Sequence, residues 1–581
     1  MNHIAIAMNE ASRLLQRAYL AAVEAGELSA AELPAPSIEV PRDLANGDYA
    51  SSFAMQSARV LHLPPRKIAD AICARFSPEG TMFVSCEVAG PGFLNLRLSP
   101  AWFEGVLQNV REEGEGYGRT ACEKPEKIMV EFVSANPTGP MHMGNARGGV
   151  LGDTLAEVLA RTGNDVTREF YVNDAGNQID KFAQSLEARY FQLIGGEDSF
   201  PFPEDGYHGD DIRALAEGFR AERGDGMKDA PEQERREALV AFGLVRNLER
   251  MRADLARYGI EYDKWFFESE LHNAGYVAET VDKLTSRGWT YEKDGALWLK
   301  TGELLHEHFL KEGKTEAEIE KLELKDDVLC RANGFYTYFA ADIAYHREKF
   351  EKRGFDRVIN IWGADHHGHV ARLKAALDAL GLNGTERLEI VLMQLVRLMR
   401  DGEVVRMSKR TGKAISLSDL LDEIPIDAAR FFFNSRAADT HLEFDLGLAV
   451  RQDSENPVYY VQYAHARIHS ILRALAQDGI GADAPHADLS LLTDPAELDL
   501  IRALARLPEE LRLAAVSREP SRINRYAAET AAAFHRFYTA CRIREAGSDA
   551  LRDARITLCT CTAVVLRNAL SALGVSAPEH M

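Results

Sequence analysis

Residues 134–148 lie between an apolar run at 128–133 and an amphipathic stretch at 150–160, and this arrangement constrains the fold more than any other feature. The apolar run is typical of a buried parallel strand, and the amphipathic stretch is typical of a helix. The apolar stripe of that helix consists of Val150, Leu151, Leu155, Val158 and Leu159. A second apolar run at 166–172 predicts the next strand. The order strand, helix, strand predicts a right-handed β-α-β unit and therefore a parallel sheet.

The crossing from strand to helix has the composition of a phosphate-binding turn. Gly144, Gly148 and Gly149 fall in this region, where small residues let a ligand approach the backbone closely. In doubly wound folds such crossings bring backbone N–H groups and the positive end of a helix to the carboxyl edge of the sheet. We therefore predict that a phosphate-bearing ligand binds above this turn.

Length and charge narrow the class of protein. A chain of 581 residues is too long for one core, so about two to four domains are expected. No apolar run approaches the roughly 20 residues of a membrane span, and the N-terminus lacks the pattern of a secretory leader, so we expect a cytoplasmic protein with no membrane contact. The net charge of -21 argues against indiscriminate nucleic-acid binding, although a local basic face stays open.

The pattern of predicted elements divides the chain into three parts. Residues 1–115 combine helical periodicity with two short strands, which predicts an α+β module in which one helix opens at Gly47. Residues 116–445 carry an α/β pattern, with a polar, acidic insertion near 195–240. From 446 to 581 helical stripes predict an α-helical bundle. We therefore predict a multidomain α/β protein with a doubly wound, Rossmann-type parallel sheet, flanked in sequence by the module and the bundle.

Tyr338 and Asp342 are candidates for binding a cationic ligand. They lie four residues apart in a predicted helix and hence on one face, so a phenol and a carboxylate point together. An ordinary solvated helix face has the same pattern, and both interpretations stay open on spacing alone.

Asp365, His366, His367 and His369 follow a predicted strand at 358–362 and suggest a metal site at first sight. Their spacing suits a loop of hydrogen-bond donors and stacking rings equally well, and no matching carboxylate or cysteine set occurs elsewhere. The seven cysteines are scattered, with no CxxC pair, and we interpret them as reduced and structural. We therefore expect no protein-bound metal.

Residues 406–413 contain four cationic side chains in eight positions, after a predicted hairpin turn at Asp401 and Gly402. Small residues at Ser408 and Gly412 favour mobility. A charge run of this kind is either a solvated loop or a clamp for a polyphosphate, and its position after a strand keeps the second interpretation open.

Several ordered blocks resemble one family. Residues 142–145 resemble the HIGH signature of class I aminoacyl-tRNA synthetases, and residues 406–410 resemble their KMSKS signature. The longer blocks at 134–140, 171–178 and 456–467 are similar to those of bacterial arginyl-tRNA synthetases. The resemblance covers nearly the whole chain.

The resemblance implies ATP-dependent ligation of L-arginine to tRNA(Arg) through an arginyl adenylate, with release of AMP and pyrophosphate. It implies catalytic roles for His142, Asn145, Arg406 and Lys409. It implies an arginine pocket formed by Glu131, Asn136, Tyr338 and Asp342. It implies ATP contacts from His142, Gly144, Asn145, Gly363, Asp365, His366, His367, Met407, Ser408 and Lys409. Mg²⁺ is expected to accompany ATP, held mainly by phosphates and water.

The same resemblance implies partners and an assembly. The bundle would bind the anticodon, the N-terminal module would contact the tRNA elbow, and the chain would act as a monomer whose amino-acid activation depends on tRNA. Residues 501–581 contain twelve arginines and no lysine against eight acidic residues, which suits an RNA loop or a solvated face.

Two positions depart from the signatures and keep other functions open. Asn145 stands where the second histidine of the first signature is expected, and Arg406 stands where the first lysine of the other is expected. Asn145 is the only support for a non-catalytic RNA-binding paralogue. A ligase that joins arginine or another amine-bearing substrate to a small molecule without tRNA is the second alternative.

Overall fold

The N-terminal part is a four-stranded antiparallel sheet packed with helices. The computed structural model describes residues 1–405, 415–481, 484 and 486–581. The elements here are α1 (His3–Glu24), β1 (Ile38–Glu39), β2 (Tyr49–Ser51), α2 (Phe53–Leu61), α3 (Pro65–Ala74), β3 (Phe83–Ala89), β4 (Phe93–Leu98) and α4 (Pro100–Glu113). The strand order is β1-β2-β4-β3. The α+β prediction is confirmed.

The predicted helix start at Gly47 is wrong. The chain continues as strand β2, in which Tyr49 pairs with Leu96 of β4, and α2 begins only at Phe53. The pairing satisfies the backbone polar groups of these residues against a strand distant in sequence, which outweighs their local helical pattern.

The central part is built on a parallel sheet. Its first elements are β5 (Lys127–Glu131), α5 (Gly144–Arg161), β6 (Asp165–Val172), α6 (Asn177–Gly195), α7 (Asp210–Arg223), α8 (Glu232–Arg257), β7 (Lys264–Phe267), α9 (Glu268–Asn273), α10 (Tyr276–Ser286), β8 (Thr290–Lys293), β9 (Ala296–Leu299), α11 (Thr301–Lys311), α12 (Glu316–Glu320) and β10 (Asp327–Cys330). The later elements are α13 (Tyr338–Arg347), β11 (Arg357–Gly363), α14 (His367–Ala379), α15 (Gly384–Arg387), β12 (Leu388–Met393), β13 (Val396–Arg400), β14 (Glu403–Val404), α16 (Leu417–Glu423), α17 (Ile426–Phe433), β15 (Leu442–Asp445) and α18 (Leu446–Ala449).

Five of these strands form the main sheet, in the order β12-β11-β5-β6-β7, and all of their pairings are parallel. The chain adds β6 and β7 on one side of β5 and then returns to add β11 and β12 on the other. Strand order therefore reverses between β5 and β11. In open α/β sheets the ligand crevice lies at such a switch point, outside the carboxyl ends of the strands.

The predicted insertion forms a small helical unit with a core of its own. Helix α7 and the beginning of α8 pack against α6. The buried side chains between them include Phe182, Tyr190, Ile212 and Phe219. The polar side chains of this segment therefore lie mainly on its outer surface, and its apolar side chains pack inside.

The C-terminal part is a helical bundle whose core is continuous with the other two parts. Its helices are α19 (Pro457–Gln477), α20 (Pro495–Ala505), α21 (Leu507–Ser517), α22 (Ser521–Ala540) and α23 (Asp549–Ala572). The side-chain amide of Asn568 donates to the backbone oxygens of Gly114 and Tyr117, at 2.9 Å each. Arg430 donates to the backbone oxygen of Leu573 at 3.0 Å. Hydrogen bonds thus join the bundle to both neighbouring parts.

Within the part of the chain that the structure describes, no helix combines the length and apolar character needed to cross a membrane.

Candidate active site

A strained turn follows the central strand β5. The backbone N–H of Ser134 donates to the carbonyl oxygen of Phe132 at 3.0 Å, which closes a three-residue γ-turn. Val133 at its centre has φ of 67° and Ser134 has φ of 44°. Positive φ is rare for a β-branched residue, and such strain concentrates at functional sites. The turn directs the Ser134 hydroxyl back to Glu131, where it donates to Oε1 at 3.0 Å.

A buried ion pair forms the floor below this turn. Lys349 lies in a π-helical turn, Glu348–Lys352, that continues α13, and its side chain is fully buried. Its ammonium donates to Oε2 of Glu131 at 2.6 Å and lies 3.9 Å from the ring centre of Tyr345. Both oxygens of the Glu131 carboxylate are therefore engaged by this protein's own side chains.

Asp342 projects from α13 at the wall of the crevice, with 35% of its side chain exposed. His369 Nε2 lies 3.0 Å from its Oδ2. Desolvation by the surrounding protein raises the pKa of Asp342; the His369 hydrogen bond lowers it, and the charges of Glu268 and Glu131 raise it further. Burial and the nearby carboxylates of Glu268 and Glu131 therefore disfavour the ionised form of Asp342, which a cationic ligand would stabilise.

A cavity of about 570 Å³ opens at the first turn of α13, where Tyr338 and Ala341 line it. Its lining comes from the loop before α6, from α9 and from the segment that leads into α13, and it includes Asp180, Glu268, His272 and Tyr338. Glu268 is 4% exposed and accepts hydrogen bonds from the hydroxyl of Tyr171 at 2.8 Å. Two carboxylates and a phenol thus lie in the wall together with one arginine, Arg331, and the carboxylates are the groups that can bind a cationic ligand.

The loop before α5 fixes the orientation of His142. The backbone N–H of Gly144 donates to His142 Nδ1 at 3.1 Å, and the backbone N–H of His142 donates to Oδ1 of Asn145 at 3.0 Å. Because Nδ1 is the acceptor in the first of these bonds, a neutral His142 ring carries its proton on Nε2. The imidazole, which is exposed, therefore presents an Nε2–H donor at the crevice.

The same loop is joined to the chain that follows the predicted phosphate clamp. The backbone N–H of Met143 donates to the oxygen of Ile415 at 3.0 Å, and that of Leu417 donates to the oxygen of Met141 at 2.9 Å. Before the clamp, the predicted hairpin turn is present between β13 and β14, with φ of 53° at Asp401 and 81° at Gly402. The clamp residues Arg406, Met407, Ser408 and Lys409 themselves lie outside the described residues.

Arg147, one turn into α5, connects this loop to the far side of the sheet. Its fully buried guanidinium donates to the backbone oxygens of Gln394, Ala437 and Thr440, at 2.8, 2.8 and 2.9 Å. Burial lowers the pKa of Arg147 to about 10, so the side chain stays cationic at neutral pH. It holds the start of α5 against the segments that follow β12 and precede β15.

The residues that follow β11 lie at the same edge of the sheet. Gly363 ends the strand, and the side chains of Asp365 and His366 are 82% and 58% exposed. His367 begins α14 and is also exposed. Among the residues that the structure describes, no group of three or more His, Cys, Asp or Glu side chains is arranged to hold a metal ion.

Family models and curated relatives match this architecture. The description "Arginyl tRNA synthetase N terminal domain" matches residues 9–98, "tRNA synthetases class I (R), catalytic domain" matches 106–199 and 245–445, and "DALR anticodon binding domain" matches 461–581. An arginine–tRNA ligase of Ruminiclostridium cellulolyticum is 51% identical over 560 residues, which is 96% of each chain. The chain belongs to the arginyl-tRNA synthetase family.

Other family members agree over the full length. An arginine–tRNA ligase of Caldanaerobacter subterraneus subsp. tengcongensis is 49% identical over 581 residues, covering both chains completely. The arginyl-tRNA synthetase of Thermus thermophilus has the same fold, with a TM-score of 0.71 at 22% identity over 98% of this chain and 100% of that one. The predicted fold class is confirmed: a multidomain α/β protein with a doubly wound, Rossmann-type parallel sheet, an N-terminal α+β module and a C-terminal α-helical bundle.

The structure places the residues of the predicted arginine pocket in different surroundings. Tyr338 and Asp342 lie on one face of α13, as predicted, and Tyr338 is 47% exposed at the cavity. Glu131 is buried at the floor against Lys349, and Asn136 is exposed on the loop beyond the strained turn. Their roles towards a ligand stay predictions.

Glu268 is a candidate functional residue that the sequence analysis missed. It directly follows β7, the edge strand of the parallel sheet, so its carboxylate reaches the crevice. The signal was present, because a carboxylate immediately after a parallel strand lies at the ligand-binding edge. Strand β7 has only four residues and lies between two predicted helices, so its aromatic sequence is not recognisable as a strand from the sequence alone.

Proposed function

We propose that this chain ligates L-arginine to tRNA(Arg) at the expense of ATP. The carboxylate of arginine attacks the α-phosphorus of ATP and pyrophosphate leaves; a ribose hydroxyl of the terminal adenosine of the tRNA then attacks the carbonyl carbon and AMP leaves. The observation that carries the proposal is the cavity with carboxylates in its wall at the carboxyl edge of the sheet, beyond β6 and β7, in a chain that the arginyl-tRNA synthetase family matches from end to end.

The guanidinium of arginine would bind between Glu268, Tyr338 and Asp342. It is planar and always charged, so two carboxylates can each accept its N–H groups, whereas the compact ammonium of lysine fills such a fork poorly. Glu131 and Asn136, which flank the strained turn, would then face the α-amino end of the substrate. The cavity lining supports the roles of Glu268 and Tyr338, and the raised pKa of Asp342 near Glu268 and Glu131 supports the role of Asp342. The roles of Glu131 and Asn136 rest on the family resemblance.

ATP would bind along the loop before α5 as its Mg²⁺ complex, the ion being held mainly by phosphates and water. His142 Nε2–H would donate to a phosphate oxygen, and Gly144 would keep the floor open. The other residues proposed to contact ATP are Asn145, Gly363, Asp365, His366, His367, Met407, Ser408 and Lys409. Lys409 and Arg406 would stabilise the charge that develops at the α-phosphate, where one preorganised donor contributes about 3 kcal/mol.

Substitution of Asn145 tests whether the hydrogen bond that it accepts from His142, in the loop before α5, contributes to the rate. Asn145→Ala removes the acceptor for the His142 backbone N–H, and a bond of this kind is worth about 1 kcal/mol, so we expect arginylation to slow by roughly fivefold. Asn145→His restores a ring nitrogen that can accept the same bond, and we expect a rate within about twofold of the parent. Steady-state charging at saturating substrates measures both variants. Equal losses in the two would show that the bond to His142 does not limit the rate.

The bundle offers an aromatic surface for tRNA, formed by Tyr459, Tyr460, Tyr463 and His535 on α19 and α22. Tyr459 and Tyr463 are stacked with ring centres 6.1 Å apart, and His535 lies 6.2 Å from Tyr463. Arg467 donates to the Tyr463 hydroxyl at 2.7 Å. Such rings stack on unpaired bases, and arginine adds charge attraction to phosphate.

The arginines of the bundle are weak support for tRNA as its partner. Many arginines of the bundle form ion pairs within the protein, among them Arg502, Arg506, Arg512, Arg518, Arg522 and Arg555. The aromatic surface is therefore the better candidate for contact with the anticodon loop.

Tyr463→Ala is expected to raise the KM for tRNA(Arg) by about tenfold, because one base stacked on an aromatic ring contributes about 1–3 kcal/mol. The KM for arginine should stay within twofold. Tyr463→Phe retains the ring and loses only the hydroxyl that Arg467 contacts, so it serves as the matched control and should remain within about threefold. Charging assays with varied tRNA provide both constants. A Phe variant as impaired as the Ala variant would exclude stacking as the cause.

Charging of bulk tRNA with labelled arginine, lysine and glutamine tests the function as a whole. We expect arginine alone to be attached, and ATP–pyrophosphate exchange to require tRNA. Binding of tRNA without charging would instead support the non-catalytic paralogue, and adenylate formation without tRNA binding would support a ligase for a small acceptor. We further propose that the enzyme is a cytoplasmic monomer, for which light scattering should give the mass of one 64.6 kDa chain.

A further inference from the structure

His369, in the first turn of α14, is less exposed than the nearby His366. Its side chain is 19% exposed, whereas that of His366 is 58% exposed. Its ring lies between Phe339 and Trp362, with centre-to-centre distances of 5.3 and 5.7 Å. The histidine-rich segment that suggested metal or phosphate chemistry therefore contains one member that packs inward.

Both nitrogens of the His369 ring have partners. Nε2 lies 3.0 Å from Oδ2 of Asp342, and Nδ1 lies 3.5 Å from the guanidinium nitrogen Nη2 of Arg372. Arg372 is itself held by Asp327, at 2.7 Å, and it also donates to the backbone oxygen of Gly368 at 3.2 Å.

The order of these partners fixes the tautomer of His369. A guanidinium only donates, so Nδ1 must accept, and the proton of a neutral ring is then on Nε2, facing the carboxylate. In this chain of hydrogen bonds Arg372 donates both to Asp327 and to His369, and the Nε2–H of His369 then donates to Asp342. The bond from His369 engages one oxygen of Asp342 and sets the plane of the carboxylate.

We propose that His369 is a positioning residue for arginine: it orients the Asp342 carboxylate towards the guanidinium through an Nε2–H bond whose direction Arg372 enforces. The inference rests on the proposed function, since Asp342 is the group that binds the substrate. His369 would act through Asp342 and would not touch ATP. Bidentate recognition of a planar cation depends on the angle of the carboxylate, so we expect His369 to affect the affinity for arginine.

A pair of substitutions separates the hydrogen bond from the packing. His369→Phe keeps a ring between Phe339 and Trp362 but removes the donor, and we expect the KM for arginine to rise about 10- to 100-fold, because bonds to charged groups are the stronger ones. His369→Gln retains an amide N–H donor of similar reach and should remain within about threefold. The KM for ATP and kcat should change by less than threefold in both.

His306→Phe is the matched control. It makes the same replacement at a histidine of α11 that is 41% exposed and is paired with Glu316 at 2.6 Å, and it should leave the KM for arginine unchanged. Arg372→Leu is a second probe at a side chain that is 36% exposed. This substitution removes the donor to His369 Nδ1 but keeps the imidazole ring. It should therefore raise the KM for arginine by a smaller factor, about threefold to tenfold.

Melting curves establish that each variant is folded, and charging assays with varied arginine and ATP give the constants. A folded His369→Phe with an arginine KM within twofold of the parent would overturn the proposal. So would equal rises in the KM for arginine and ATP, since they would make His369 a structural or ATP-binding residue. If the parent chain itself does not charge tRNA with arginine, the proposed function fails first, whatever the variants do.

Discussion

Lys349→Met is expected to destabilise the central part of the protein by about 3–5 kcal/mol, because it leaves the carboxylate of Glu131 buried without its cation. The pair is 2.6 Å apart, with the lysine side chain 0% and the glutamate side chain 7% exposed. At about 2.1 cal/mol/K per residue, each kcal/mol moves the melting midpoint of a part of about 330 residues by about 1.4 °C, so we expect a fall of roughly 4–7 °C. Calorimetry of the full chain measures it.

Lys352→Met, at an exposed lysine three residues later, is the matched control and should change the stability by no more than about 0.5 kcal/mol. The double variant Glu131→Gln with Lys349→Met removes both charges, and we expect it to recover most of the lost stability. If Glu131 also binds arginine, the double variant will be stable and yet retain a raised KM for arginine. Additive losses in the double variant would refute a direct coupling between the two side chains.

The strand, turn and helix at the centre of the fold could be predicted because their apolar periodicities are strong and local. Strand β5 ends at Glu131 and α5 covers Gly144–Arg161, close to the predicted 128–133 and 150–160. The three-residue strand β2 could not be predicted in this way. Its stability depends on pairing between Tyr49 and Leu96, which no local pattern encodes.

The partners of the candidate site were harder to predict than its members. Helical spacing predicts that Tyr338 and Asp342 share one face, and the family resemblance assigns them to the arginine pocket. Lys349, however, lies 218 residues from its partner Glu131 in sequence. A lysine next to other charged residues predicts a solvated face, and only the tertiary fold shows that it is buried. The sequence shows His369 only as one member of a histidine-rich segment, and its bond to Asp342 joins two elements whose relative position the sequence does not reveal.

Asp342→Asn is expected to lower kcat/KM for arginine by about 30- to 5000-fold, because losing one partner of a desolvated charge pair costs about 2–5 kcal/mol. Asparagine has nearly the same shape and can still accept the hydrogen bond from His369, so the loss reports the charge. Glu268→Gln should have an effect of the same kind, and the KM for ATP should stay within threefold in both. Asp282→Asn, at an exposed aspartate of α10, is the matched control with no expected effect.

Citrulline tests the same charge interaction by changing the substrate instead of the protein. It has nearly the shape of arginine but carries a neutral ureido group, so the parent enzyme would have to bury two carboxylates without a cation to bind it. We expect the preference for arginine over citrulline, measured as the ratio of kcat/KM for adenylate formation in the presence of tRNA, to fall sharply in Asp342→Asn. Because Asp342 and Glu268 would bind one guanidinium, combining the two substitutions should cost less than the sum of the single losses. An unchanged preference in folded single variants would mean that arginine is recognised elsewhere, since removal of a carboxylate that pairs with the guanidinium must favour the neutral analogue.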